Sequence, residues 1–116
     1  MKVLIIEDET IFADVLQSFM DKENIESKVT ANIAEAWIEI ENNVDLVLID
    51  YTCIDIFQFL NHVCNFFDLE KIIVMGGNID KTDRAKLNSY GIINILDKPF
   101  SLKALTEKIP NFVFAF

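Results

Sequence analysis

Three short runs, Val3-Leu4-Ile5-Ile6, Leu46-Val47-Leu48-Ile49 and Ile72-Ile73-Val74-Met75, constrain this chain more than any other feature. Each is too short for a typical helix and none alternates with polar residues, so each predicts a strand buried on both faces. Strands of that kind belong to parallel sheets, whose crossovers place helices over both faces. The segments between the runs are long enough to supply those helices.

Their patterns agree. Thr10 is placed to cap a helix carrying Phe12, Val15, Leu16, Phe19 and Met20 on one face, an i, i+3, i+4, i+7, i+8 series. Glu26 to Thr30 reads as a weaker strand. Asn32 and Glu35 have the form of a capping box, opening a helix with Ile33, Ala36, Trp37 and Ile40 inward. Residues 55 to 67 are apolar almost all round, with Gln58, Asn61, His62 and Asn65 as the polar stripe. A weakly amphipathic, polar helix follows from about Lys81 to Tyr90 and stops at Gly91. Ile92 to Leu96 reads as the last strand. Ser101 starts a short helix with Leu102, Leu105 and Ile109, ended by Pro110. Five strand–helix units in sequence predict a doubly wound α/β domain with the flavodoxin-like strand order 2-1-3-4-5.

The 116 residues are one domain's worth, and 52% are hydrophobic, enough for a core without disulfides or a structural metal. A net charge of −9 argues against direct nucleic-acid binding and is compatible with a cation site, a basic partner or plain solubility. Cys53 and Cys64 are the only cysteines and neither has metal-type spacing with His62, which reads as a reduced, cytoplasmic protein. The apolar start of the chain is short and ends at Glu7-Asp8-Glu9, unlike a signal peptide or a membrane span.

In the predicted topology the ligand crevice lies beyond the carboxyl ends of the first and third strands, where the winding reverses. Glu7-Asp8-Glu9 ends the first strand, Asp50 ends the third, and Asp97-Lys98-Pro99-Phe100 ends the fifth. Gathered carboxylates raise one another's pKa unless a cation offsets the repulsion. Mg²⁺ suits such a place, because it takes one or two carboxylates, a phosphate oxygen and several waters. Asp8 and Asp50 are the candidate ligands. Asp50 is also a candidate nucleophile, since a carboxylate can carry a phosphoryl group. Lys98 would add a positive charge on the opposite side.

The same residues carry a resemblance. Leu4-Ile5-Ile6-Glu7-Asp8-Glu9, Val47-Leu48-Ile49-Asp50 and Lys98-Pro99-Phe100 resemble the receiver domain of bacterial two-component response regulators over roughly residues 1 to 109. The resemblance implies Mg²⁺ held by Asp8, Asp50 and the backbone carbonyl of Thr52, with Glu7 holding the metal's waters. It implies phosphoryl transfer to Asp50 from a histidine kinase or phosphotransfer protein, and a module that at most catalyses its own phosphorylation and dephosphorylation. It also implies a cis Lys98-Pro99 bond that aims Lys98 at the site, and signalling through the face made by the fourth helix, fifth strand and fifth helix.

Three departures from the family pattern stand out. Gly76 stands where a Ser or Thr would bond the phosphoryl group. Ile95 stands where an aromatic switch residue is expected. Cys53-Ile54 and Phe57-Gln58 replace the usual Met-Pro and Asp-Gly. A pseudo-receiver, acting as a phosphorylation-independent interaction module, is the alternative these departures support. A flavodoxin is disfavoured because Glu7-Asp8-Glu9 would repel a phosphate, and a haloacid-dehalogenase-type phosphatase lacks its Asp-x-Asp pair. On the third helix, Phe59, Val63 and Phe66 either pack against neighbours or form a dimer or partner patch. Residues 110–116 are an apolar tail, read as a docking or oligomerisation segment or the start of a linker.

Overall fold

The structure is a computed structural model that describes residues 1–109. Five parallel strands, β1 (Lys2–Ile6), β2 (Glu26–Thr30), β3 (Leu46–Asp50), β4 (Ile72–Gly76) and β5 (Asn94–Asp97), lie in the order β2-β1-β3-β4-β5. Between and after them run α1 (Thr10–Lys22), α2 (Ile33–Ile40), α3 (Ile56–Val63), α4 (Lys81–Tyr90) and α5 (Leu102–Lys108). This is the flavodoxin-like arrangement expected from the sequence.

The apolar runs sit where two-sided burial demands. Every residue of β3 and β4 is buried, as are Val3 to Ile6 of β1. Because successive side chains point to opposite faces, each run feeds two cores. Leu4, Ile6, Val47, Ile49, Ile72 and Val74 pack with Ala36, Ile40, Phe59, Leu60, Val63 and Leu87. Val3, Ile5, Leu46, Leu48, Ile73 and Met75 pack with Leu16, Met20, Leu105 and Ile109 on the other side. The polar, weaker β2 is an edge strand paired only with β1.

Local details correct the sequence reading in five places. Thr10 is the first residue of α1, not its cap; Glu9 takes the cap position without a side-chain bond. Val15 is 48% exposed, and Ala13 turns inward with Leu16 and Met20 instead. The predicted helix over 55–67 ends at Val63; the chain beyond it continues only as turns, with Phe66 N–H on the Val63 carbonyl three residues back, and Asp68 caps a separate single turn at Leu69–Lys71. Phe59 and Val63 are fully buried and only Phe66 is exposed, so these three form no surface patch. The last strand begins at Asn94, because the end of α4 claims Ile92. Gly91 adopts a left-handed φ of 108°, its N–H bonds the Asn88 carbonyl, and Ile92 N–H bonds the Leu87 carbonyl, which is a Schellman closure. The Asn32 cap is present on one side: its side chain accepts from Glu35 N–H at 3.1 Å. The tail at 110–116 lies outside the described residues.

Leu87 is the only buried residue of α4. Leu87→Ala should cost about 2–5 kcal/mol. Urea denaturation should show that loss, with amide exchange fastest in α4; an unchanged midpoint would mean that α4 is held by its polar contacts alone.

Candidate functional site

The sheet's hydrogen bonding continues past the strand ends and sets the site residues in register. Glu7 N–H donates to the Thr30 carbonyl at 2.9 Å, Tyr51 N–H to Met75 at 2.7 Å, and Lys98 N–H to Gly76 at 2.8 Å. Glu7, Asp50 and Lys98 are thereby brought to one rim of the sheet. The Lys98-Pro99 bond is cis.

Lys98 Nζ donates to Glu7 Oε1 at 2.8 Å and to Asp50 Oδ2 at 2.6 Å. It also lies 4.3 Å from the ring centroid of Phe12, itself edge-on to Phe100 at 5.5 Å. The other Asp50 oxygen, Oδ1, accepts from Thr52 twice: from its N–H at 2.7 Å and its hydroxyl at 2.8 Å. Glu7 and Asp50 are both buried, at 2% and 6% exposure, whereas Asp8 and Thr52 are exposed at the rim. Glu7 Oε2 is buried with no hydrogen-bond partner. Glu7 and Asp8 also line a pocket of about 490 Å³ that opens between α1 and the loop after β2, past Asp14, Thr30 and Glu35.

Charge follows from this geometry. Burial pushes Glu7 up to about 7; the bond from Lys98 pulls it back only in part, and the neighbouring Asp50 carboxylate adds to the rise. Burial also works against Asp50, but the bonds from Lys98 and Thr52 outweigh it and hold its carboxyl below the usual range. Lys98 stays above its ordinary value despite burial, because both carboxylates accept from it. Burial, with Asp8, Asp50 and Glu7 behind it, pushes the nearby Cys53 thiol up to about 11, so the thiol is protonated at neutral pH.

Among the described residues no group of three His, Cys, Asp or Glu side chains is placed to hold a metal ion by itself. The donors that are present fit a hard divalent cation that keeps its water. They are an exposed carboxylate at Asp8, an ionised carboxylate at Asp50 and an unpartnered buried oxygen on Glu7. Glu7 and Asp50 meet on Lys98, while Asp8 stays on the rim.

Gly76 closes β4 beneath the site. A Cβ there would lie 2.7 and 2.8 Å from the Ile79 side chain and 3.2 Å from Tyr51 Cβ, so Ile79 fills the space a larger residue would use. Ile95 packs against the core on the α2–α3–α4 side. Sequence reasoning missed the residues that fasten α4 to this region. Tyr51, the residue after Asp50, donates its hydroxyl to Asp83, and that bond chiefly pushes its pKa up to about 12. Arg84 pairs with Asp97, and its Nε donates to the Ile79 carbonyl at 3.0 Å. Phe57 stacks on Tyr90 at 5.7 Å, with Lys86 Nζ 4.1 Å from its centroid. Tyr51 and Asp83 are 32 residues apart and Arg84 and Asp97 are 13 apart, and no local spacing announces them.

A half-buried lysine bridging two buried carboxylates at the switch point of a flavodoxin-like sheet defines a class: an α/β domain built to hold an anion or a cation at its strand ends. The comparisons make it specific. The family model described as "Response regulator receiver domain" matches residues 3–110, and the chain belongs to that family. No curated protein sequence matches it. Among similar solved structures is the receiver domain of the TMAO respiratory system response regulator TorR, 26% identical, with 98% of this chain and 97% of that one covered and a TM-score of 0.82. A CheY-like receiver domain protein from Methanospirillum hungatei JF-1 is 23% identical, with 98% and 94% covered and a TM-score of 0.86. The beryllofluoride-activated NtrC4 receiver domain dimer is 20% identical, with 98% and 96% covered and a TM-score of 0.82. The last two speak for the fold alone. The chain is thus a signal-transduction module of the two-component type. Among the described residues no helix is long and apolar enough to cross a membrane.

Two outcomes follow from the geometry. A carboxyl raised on folding from 4.5 to about 7 takes up a proton between those values, so Glu7 should lower stability as pH rises through that window. Urea midpoints measured from pH 4.5 to 8 without divalent cations should fall with pH in the wild type and fall less in Glu7→Gln; parallel profiles would contradict the shift. Tyr51→Phe should leave the fold intact and speed amide exchange in the first turns of α4 about three- to ten-fold, the value of one lost hydrogen bond.

Proposed function

We propose that this chain is the phospho-accepting receiver of a two-component phosphorelay, taking a phosphoryl group on Asp50 from a histidine kinase or phosphotransfer protein in a Mg²⁺-dependent reaction in the cytoplasm. The observation that carries this reading is Lys98 Nζ held between Glu7 Oε1 and Asp50 Oδ2. It leaves Asp50 as an ionised nucleophile at neutral pH, with a cation beside the place where phosphoryl charge would arrive.

Asp8, Asp50 and the backbone carbonyl of Thr52 would hold the metal, and the free oxygen of Glu7 would take one of its waters. Bound there, Mg²⁺ supplies positive charge to the phosphoryl oxygens. The remaining work falls to side chains. Asp50 attacks phosphorus, the bond to the donor breaks, and the donor leaves with the electron pair. Lys98 keeps Asp50 oriented and offsets charge that the buried rim could not otherwise tolerate.

The partner surface adjoins this rim. Ile11, Val15 and Leu102 are exposed around a shallow groove of about 380 Å³ on α1, whose first turn follows Glu7-Asp8-Glu9 directly. An apolar helix stripe fits a helix of the phosphodonor protein, which would lay its phosphohistidine over Asp50.

The pseudo-receiver reading keeps one observation in its favour, the Ile79 side chain occupying the space over Gly76. Acetyl phosphate and Mg²⁺ separate the two. Mass spectrometry should find one phosphoryl adduct on the wild type, none on Asp50→Asn, and a reduced yield on Lys98→Ala. No adduct from either acetyl phosphate or a donor kinase, together with no Mg²⁺-dependent beryllofluoride binding, would favour the interaction module.

A further inference from the structure

We infer that the Thr52 hydroxyl is the side-chain donor that follows the phosphoryl group on Asp50, working from the loop after β3. The inference rests on Asp50 being the acceptor and assigns a further residue to that reaction.

The bonds around the carboxylate are not equivalent. Asp50 Oδ2 is held by Lys98, whose ammonium is shared with Glu7. Asp50 Oδ1 is held by Thr52 through a fixed N–H at 2.7 Å and a hydroxyl at 2.8 Å. The N–H bond alone would close the Asx-type turn that begins at Asp50. The hydroxyl bond is additional to it.

Phosphoryl transfer changes what these donors face. The new P–O bond forms to one Asp50 oxygen, the bond from phosphorus to the acetate of acetyl phosphate breaks, and acetate departs with the electron pair. No proton moves. The carboxylate loses its negative charge and becomes a neutral acyl oxygen pair, while charge now sits on phosphoryl oxygens further from the sheet. The Thr52 N–H is fixed by the backbone. The Thr52 O–H rotates about a single bond and can turn from the acyl oxygen to a phosphoryl oxygen without any backbone movement. Thr52 is an exposed residue of the rim, and its hydroxyl sits on the Asp50 carboxylate at 2.8 Å.

Nothing on β4 competes for the role. Gly76 carries no side chain, and the volume where one would begin is taken by Ile79 carbons at 2.7 and 2.8 Å. Of the other hydroxyls near the rim, Thr30 Oγ1 is engaged with Asn32, and Thr10 stands on the first turn of α1 in the neighbouring pocket beside Glu7 and Asp8. Tyr51 is turned away to Asp83.

The test compares wild type, Thr52→Val and Thr52→Ser in acetyl phosphate with Mg²⁺ raised to saturation for each protein, so that any weakening of metal binding is titrated out. Thr52→Val keeps the branched shape and the backbone N–H and removes only the hydroxyl, and thermal melting checks that all three fold alike. A hydrogen bond to a charged group corresponds to about ten-fold or more in rate, so the maximal phosphorylation rate of Thr52→Val should fall by about that factor. The acetyl phosphate concentration for half-maximal rate should move much less, and Thr52→Ser should stay within about two-fold of wild type. Thr52→Val reacting at the wild-type rate, or Thr52→Ser as slow as Thr52→Val, overturns the inference while leaving Asp50 as acceptor. Wild type taking no phosphoryl group under any donor overturns both.

Discussion

Burial of the central strands on both faces is the constraint from which the rest follows. β1, β3 and β4 have no wet side, so a charge within them would be desolvated without relief. Polar chemistry is therefore expelled to the strand ends. Glu7 directly follows β1 and Asp50 is the last residue of β3; both are still buried, and the chain reaches the exposed rim at Asp8 and Thr52. Parallel pairing makes those ends neighbours, since Ile6 lies opposite Ile49. A site of two buried carboxylates is thus a consequence of how the core is made.

That placement carries an electrostatic cost, and Lys98 relieves only part of it. The ammonium satisfies one oxygen on each carboxylate. Asp50 has further donors from Thr52 and stays ionised, while Glu7 keeps an unpartnered oxygen and is driven towards protonation. The inequality separates the two acids into a nucleophile and a group held in reserve for a cation or a proton. Phe12 adds its ring face under the ammonium, a contact that keeps the lysine over the site without adding charge.

The route from the site to α4 differs from the one the family resemblance suggests. With Ile79 packed over Gly76 and Ile95 in the aromatic position, no hydroxyl–aromatic pair links β4 to β5. The helix is instead attached by Tyr51 to Asp83, by Arg84 to Asp97 and by the Phe57–Tyr90 stack. One of these begins at the residue beside Asp50. α4 buries a single residue, so such contacts weigh more in its position than they would on an amphipathic helix.

Much of this could be read from the chain alone. Uninterrupted apolar runs announce two-sided burial, helical spacing announces α1 and α2, and acidic or basic residues immediately after a run must fall at a strand end. The order of strands, the gathering of Glu7, Asp50 and Lys98, and the edge character of β2 follow from that. The reading failed where the backbone left the local pattern: the Schellman closure removed Ile92 from β5, and α3 gave way after Val63 to turns and a separately capped single turn at Leu69–Lys71. It failed again where partners lie far apart in sequence, as with Tyr51 and Asp83, Lys98 and Phe12, or Ile79 over Gly76. The sequence by itself determined which residues reach the rim, because strand periodicity and burial are local properties. Only the tertiary structure decided which oxygen each donor takes and what fills the space beside it, because those depend on the packing of elements that no local spacing encodes.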